Sequence, residues 1–436
     1  MKKKKPKPHL SRKSFLLLFM SFILLSAVFF IACQDKRDVE KYLQKIPQAD
    51  WQGGTIELTF KQPVDHKHPS GPKFSQRVVI NHVGYDRPVV VQLEGYSLYS
   101  KGRSELAEIL DANQITIEHR YFDESTPEPL NWEHLTIWQA ATDHHKIINA
   151  LKDLYKGKWV STGISKGGQA TMFHRRFYPD DVDASVPYVA PLNLAREDKR
   201  IHAFLEQVGT PHARSRIHRF QKHMLAEKAS VLPLFEAYVM EKDYQFTIDM
   251  ERAYELTVLE YPFAFWQWGT VPVSNIPRED DPVKERFDHL VKVSGPDFFT
   301  KEGIEKLRPF YYQAMTETGM YEYRFKPFQE YLSDTSNITF DHTLVDSMRI
   351  VFDSTAMHDV HDWLKKHGNR MMYIYGEQDP WSATAFTPSE KTDAYKFVNP
   401  GGSHRTRIRS FPLTMQDSIY TVLEKWLDVD IDKEIQ

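Results

Sequence analysis

Short apolar runs separated by amphipathic stretches organise the first half of this chain. Val89–Leu93, Ile115–His119, Trp159–Thr162 and Ala184–Tyr188 are short and rich in β-branched or aromatic residues, and each predicts a strand. Trp138–Leu154 predicts a helix between two of them. Ahead of these, Gly54–Phe60 and Phe74–Val83 predict antiparallel strands, joined through the turn residues Pro63, His66, Pro69 and Gly71. Strand–helix alternation of this kind means a mostly parallel sheet with crossover helices on both faces, the α/β class. The pattern breaks from about Asn193 to His342, where the sequence turns mainly helical and rich in charged and aromatic residues. It resumes with a helix over His358–Lys366, apolar strands at Met371–Tyr375 and Tyr395–Val398, and a closing helix over Phe411–Asp428. The expected organisation is one catalytic domain from 51–192 and 346–436, interrupted by a helical cap over 193–345. No internal repeat, heptad or low-complexity tract is visible.

The strand at Trp159 runs into Gly163-Ile164-Ser165-Lys166-Gly167 and then a helical stretch. G-x-S-x-G between strand and helix is a nucleophile elbow: a turn so sharp that the serine hydroxyl stands exposed above the sheet. Glycines flank such a serine because a Cβ would block the close backbone approach. Two partners must follow it, an acid and then a histidine. Asp379 lies just past the strand at Met371, where an open α/β sheet carries its working residues. Glu377, two residues earlier, is its rival. His404 follows the glycine-rich loop after Tyr395–Val398. Ser165, Asp379, His404 is the chain order of the α/β-hydrolase triad, and that is the predicted fold. A serine hydroxyl is too weak an acid to attack unaided. His404 would act as general base, and Asp379 would hold its tautomer. Oxyanion donors are expected at the Lys166 N–H and at the N–H of Gly95 or Tyr96, after the strand Val89–Leu93.

The amino terminus carries Lys2–Lys5, Lys7, Arg12 and Lys13, then an apolar run from Phe15 to Ala32, then Cys33. This resembles a bacterial lipoprotein signal peptide over 1–32, with Cys33 as the lipidation site and 33–50 as a charged tether. A transmembrane anchor is the alternative for a run of this length. Either puts the body outside the cytoplasm, on a periplasmic or cell-surface face. Loss of 1–32 removes seven basic and no acidic side chains, taking the formal charge from −3 to about −10. Such a charge argues against nucleic acid as a partner. Cys33 is the only cysteine, so no disulfide forms within the chain, and the core must hold the fold. Asp143-His144-His145 and the i, i+3 pair His358 and His361 lack an evident third ligand, and no metal or other cofactor is expected.

Gly163-Ile-Ser-Lys-Gly-Gly168, Glu118-His-Arg-Tyr-Phe122, Gly376-Glu-Gln-Asp-Pro-Trp381 and Gly402-Ser-His404 together resemble the secreted bacterial prolyl tri- and tetrapeptidyl aminopeptidases, relatives of the lysosomal prolylcarboxypeptidase group. The likeness covers most of the chain after the leader. Tyr312-Gln-Ala-Met-Thr-Glu-Thr-Gly319 follows the relatives' Tyr-Gln-x-Cys-x-Glu-x-Gly stretch, with Met315 replacing the cysteine. The resemblance implies a serine exopeptidase that takes peptides with a free N-terminus and releases short pieces, often after proline. An acidic residue must then receive the α-ammonium group. Glu317 is the first candidate, with Glu260 and Glu94 behind it. The aromatic run around Trp266 (Tyr261–Trp268) is a candidate wall for a proline ring. Two other readings stay open: an esterase or lipase-like hydrolase on the same fold, and a non-catalytic peptide-binding lipoprotein.

Overall fold

The computed structural model describes residues 54–433 except 337, 338, 346, 347 and 349, and the backbone of 31–33. The rest of the leader and tether, and the side chain of Cys33, lie outside the described residues. The described strands form one sheet in the order β1-β2-β3-β5-β4-β6-β7-β8-β9. They are β1 (Ile31–Cys33), β2 (Thr55–Pro63), β3 (Lys73–Asn81), β4 (Val89–Leu93), β5 (Asn113–Ile117), β6 (Trp159–Ile164), β7 (Ala184–Tyr188), β8 (Met371–Gly376) and β9 (Ala394–Asn399). β3 runs antiparallel to both neighbours, and all other pairs are parallel. This is the α/β-hydrolase fold.

Burial explains the sequence pattern. β4, β5, β7 and β8 are buried at every residue, because helices cover both faces of a parallel sheet. Val89, Val91 and Leu93 pack on one face with Ile147, Ile148 and Leu151 of the helix Ile137–Leu151. Val90 faces the other side with Leu106 and with Leu423 and Trp426 of the closing helix Leu413–Leu427. The expected strand at Ile115–His119 ends two residues early. Glu118 and His119 leave it because they serve the loops beside the site, as described below.

β4 sits between β5 and β6, so the strand order reverses there. Loops that follow β4 and β6 leave the sheet side by side at this switch point. The segment Glu94–Leu98 is thereby set against the elbow after β6.

Between β7 and β8 the chain builds a helical layer with its own apolar core, which runs from Ile201 to Phe340 and includes Trp381 of the sheet domain. At its centre lies the helix Met250–Trp268, buried nearly all round. Pro262 stands inside this helix and has no N–H for the carbonyl four residues back. The buried side chain of Gln221 supplies the missing donor, giving its Nε2–H to the Val258 carbonyl at 2.9 Å. The helix Arg200–Leu205 packs on the turn Pro380–Thr384 and joins the layer to the sheet domain.

Candidate active site

Ser165 caps the helix Lys166–Phe177 with φ 58° and ψ −121°, a conformation that costs a non-glycine residue on the order of 1–3 kcal/mol. The strain persists because the surroundings fix it. A Cβ on Gly163 would strike the carbonyl oxygens of Gly167 and Leu93, and one on Gly95 would come within 2.5 Å of the Gly167 nitrogen. The end of β4 and the elbow therefore touch backbone to backbone. Lys166 is the first helical residue, whose N–H has no partner within its own helix and is free to face an oxyanion.

Asp379 is fully buried and lies three residues past the end of β8, capping the turn Pro380–Thr384. One carboxylate oxygen accepts from the Trp381 N–H at 3.1 Å, and the other accepts from His404 Nδ1–H at 2.7 Å. Each carboxylate oxygen thus has a partner, and the histidine tautomer is set with Nε2 unprotonated. The rival, Glu377, turns away to accept the Gly401 N–H at 2.8 Å. His404 is held from the other side as well: its backbone N–H donates to the Gln267 carbonyl at 2.9 Å, and its ring meets Trp268 edge-on at 5.8 Å. The helical layer therefore helps to position the histidine loop.

Ser165 and His404 line one cleft of about 580 Å³ between the sheet domain and the helical layer. Tyr96, which also lines it, has its hydroxyl in hydrogen-bonding reach of Ser165. Beyond the Gly95 and Tyr96 N–H groups expected from the sequence, the structure sets the Tyr96 phenol beside the nucleophile. The loop carrying Tyr96 is tied down by Glu118, whose carboxylate accepts from the Leu98 N–H at 2.9 Å and the Ser125 hydroxyl at 2.7 Å. His119 gives its backbone N–H to the Tyr96 carbonyl at 3.2 Å. The fully buried Arg120 holds the neighbouring segment by a two-pronged pair with Asp143 at 2.6 and 2.8 Å. That commitment, with His66 on the same carboxylate at 2.7 Å, occupies Asp143.

Behind the elbow, the Lys166 side chain is buried, and its Nζ donates to His119 Nε2 at 3.0 Å. Burial holds both pKa values well below their ordinary ranges, and the lysine's own charge depresses the histidine further.

The acidic candidates separate sharply. Glu260 and Glu94 line the cleft, and Glu317 does not. Glu317 lies in the π-helical turn Ala314–Thr318, whose extra residue re-aims the side chain. It accepts the Ile137 N–H at 2.8 Å, one of the unpartnered donors at the start of Ile137–Leu151, where a carboxylate suits the helix dipole. Glu260 is 8% exposed and accepts from the Tyr321 hydroxyl at 2.8 Å. Burial pushes its pKa up to about 8. Burial also raises Glu94 to about 7, with the nearby Glu118 carboxylate adding to the rise.

Helical phase decides the aromatic run. Glu260, Phe263, Ala264 and Gln267 fall on one face of their helix and line the cleft. Trp266 faces the other way, into the helical layer against Phe265 and Gly209, and is not part of the wall. The wall is built instead from Phe263 stacked on Tyr321 (centroids 4.0 Å, 9°), with Trp381 edge-on to both at 5.2 and 5.6 Å. Trp381 and Phe263 sit in stretches singled out in the sequence, but Tyr321 does not, and only the fold brings the three together.

The profile of the PS-10 peptidase S37 family matches residues 45–429. Over 408 residues the chain is 32% identical to the prolyl tri/tetrapeptidyl aminopeptidase of Streptomyces mobaraensis, spanning 90% of this chain and 85% of that protein. Among solved structures it is similar to the proline iminopeptidase of Mycobacterium smegmatis at 13% identity and a TM-score of 0.44, over 84% of this chain and 98% of that one. A proline iminopeptidase-related protein from Thermus thermophilus matches at 12% identity and a TM-score of 0.36, over 85% and 99% of the two chains.

Proposed function

The chain belongs to the PS-10 peptidase S37 family and is a serine aminopeptidase, and from that premise we propose that it releases tri- or tetrapeptides from free N-termini with proline before the scissile bond. The observation that carries this reading is a buried carboxylate, Glu260, in the same cleft as Ser165 and His404. In this reading the α-ammonium of the substrate meets Glu260 in a dry site, where a charge-assisted hydrogen bond is strong. The aromatic wall of Phe263, Tyr321 and Trp381 suits a proline ring. The distance from carboxylate to nucleophile then sets the length of the released peptide.

The chemistry follows from the same residues. Ser165 Oγ attacks the scissile carbonyl while His404 Nε2 takes its proton. The oxyanion is received by the Lys166 N–H and by Tyr96 or the Gly95 N–H. His404 then protonates the departing amine, leaving the peptide as an ester on Ser165. Water, deprotonated by His404, hydrolyses that ester and restores the serine. We read the helical layer over 193–345 as the cap that closes this cleft.

Cleavage of Ala-Ala-Pro-p-nitroanilide, compared with its N-acetylated form and with p-nitrophenyl butyrate, tests the reading. Turnover of the free-amine peptide alone, abolished in Ser165→Ala, is expected. Equal turnover of the acetylated peptide would overturn the ammonium anchor, and butyrate hydrolysis alone would favour an esterase.

The extracytoplasmic, lipid-anchored location is part of the proposal and rests on the basic leader, its apolar run and Cys33. Metabolic labelling with a palmitate analogue should tag the wild-type chain and leave Cys33→Ser unlabelled and longer by its retained leader. A wild-type chain that takes up no label would refute lipidation as the anchor.

A further inference from the structure

A second cavity, of about 380 Å³, lies in the helical layer and shares no lining residue with the catalytic cleft. We propose that it is an anion-binding site for a phosphate-class oxyanion. Arg216, Arg219 and His223 reach it from one face of the helix Pro211–Ala226, at the i, i+3, i+7 spacing that aligns side chains. Arg278 closes it from the loop before the helix Val283–Val293, and Arg286 enters from that helix. Four guanidiniums from three segments thus converge on one space.

Their partners do not use up their donors. Arg216 spends Nη2 on the Ile276 carbonyl, which pins the loop to the helix and neutralises no charge. Arg286 is 4% exposed; its Nη2 donates to Glu227 at 2.7 Å, while its Nε and Nη1 have no partner. A buried guanidinium N–H without an acceptor has lost its water and gained nothing in return, so this residue is set for an acceptor the protein does not supply. The side chains of Arg219 and Arg278 make no hydrogen bond or ion pair among the described residues. Glu227 is held by Arg286 and by His223 at 3.2 Å. Two further carboxylates, Glu279 and Asp280, stand exposed at the rim, leaving the guanidiniums in excess. Planar guanidinium forks bind the tetrahedral oxygens of phosphate in bidentate fashion, and several forks around one space favour a multiply charged oxyanion over a lone carboxylate.

The free anion and a lipid headgroup carry the same chemistry, and two arms of one experiment distinguish them. The full chain is titrated calorimetrically with pyrophosphate at constant ionic strength. In parallel, it is sedimented with phosphatidylglycerol or phosphatidylcholine vesicles. Each arm is repeated with the double variant Arg219→Ala/Arg278→Ala, whose exposed positions leave the fold and peptidase activity unchanged, and with Arg286→Lys. Saturable pyrophosphate binding, weakened at least about 10-fold in the double variant, supports a free phosphate ligand. Binding to phosphatidylglycerol vesicles alone, lost in the double variant, supports a headgroup. No saturable binding in either arm, or binding unchanged in the double variant, overturns the site.

Discussion

A buried carboxylate can receive a cation only after giving up its proton. Burial raises Glu260 to about 8, so below that pH the empty cleft holds it mainly neutral. A peptide α-amino group titrates near about 7.7–8.0. The productive pair, Glu260 ionised with the substrate protonated, is therefore most populated near pH 8. We expect kcat/KM for a free-amine tripeptide to rise through about pH 8 and then fall as the substrate loses its proton. Glu260→Gln should lower kcat/KM roughly 10- to 100-fold, mostly through KM, since a hydrogen bond to a charged group is worth about 1.5–3 kcal/mol. It should also remove the acid limb of the profile. A Gln variant with wild-type KM and an unchanged limb would move the anchor to Glu94. At this scale the sequence spoke clearly wherever a motif restricts the backbone: Ser165 between its glycines, and Asp379 and His404 after their strands. It is silent on where Glu317 sits, because the π-helical turn that holds it outside the cleft lining leaves no pattern in the residues.

The helix Met250–Trp268 shows what an element adds. It is buried nearly all round, with polar residues among the buried ones, so no periodicity announces which face meets the cleft. That is why Trp266 and Glu260, six residues apart, could not be told apart as wall and core from the sequence. The strands, in contrast, were legible because a doubly covered parallel sheet writes itself as short, wholly apolar runs. Pro262 breaks the helix ladder two residues from Glu260, and Gln221 repairs it from the neighbouring helix. Gln221→Ala should cost about 1–3 kcal/mol in denaturant unfolding by leaving the Val258 carbonyl buried without a donor. Restoring the N–H with Pro262→Ala should make the same change nearly free. Equal costs in the two backgrounds would show that Gln221 does not act through that carbonyl.

Across the whole molecule, buried titratable groups set stability against function. The succession of strands and helices was readable along the chain, but the cleft joins β4, the elbow, the helical layer and the Asp379 loop, and its electrostatics exist only once they meet. Glu94 and Glu260 are raised to about 7 and about 8, so between about pH 5 and 8 the folded state keeps protons that the unfolded chain releases. Stability contributed by these two groups must then fall as pH rises, by about 1.4 kcal/mol per pH unit for each while it lies below its folded pKa. Buried bases act oppositely. Burial lowers Lys166 well below its ordinary range, and lowers His144 to about 3 and His289 to about 4, so their contribution rises with pH up to the unfolded pKa. The wild-type curve mixes both slopes; the difference from Glu94→Gln/Glu260→Gln separates them. We expect the stability of the double variant, relative to wild type, to increase steadily from pH 5 to 8 in chemical denaturation, while wild-type aminopeptidase activity climbs over the same range and the variant's stays low and flat. A pH-independent difference would mean that neither carboxylate is held protonated by the fold. The expected divergence means that the enzyme is least helped by these carboxylates at the pH where catalysis needs them ionised, and that the cleft is maintained against its own electrostatic cost by the two packed cores around it.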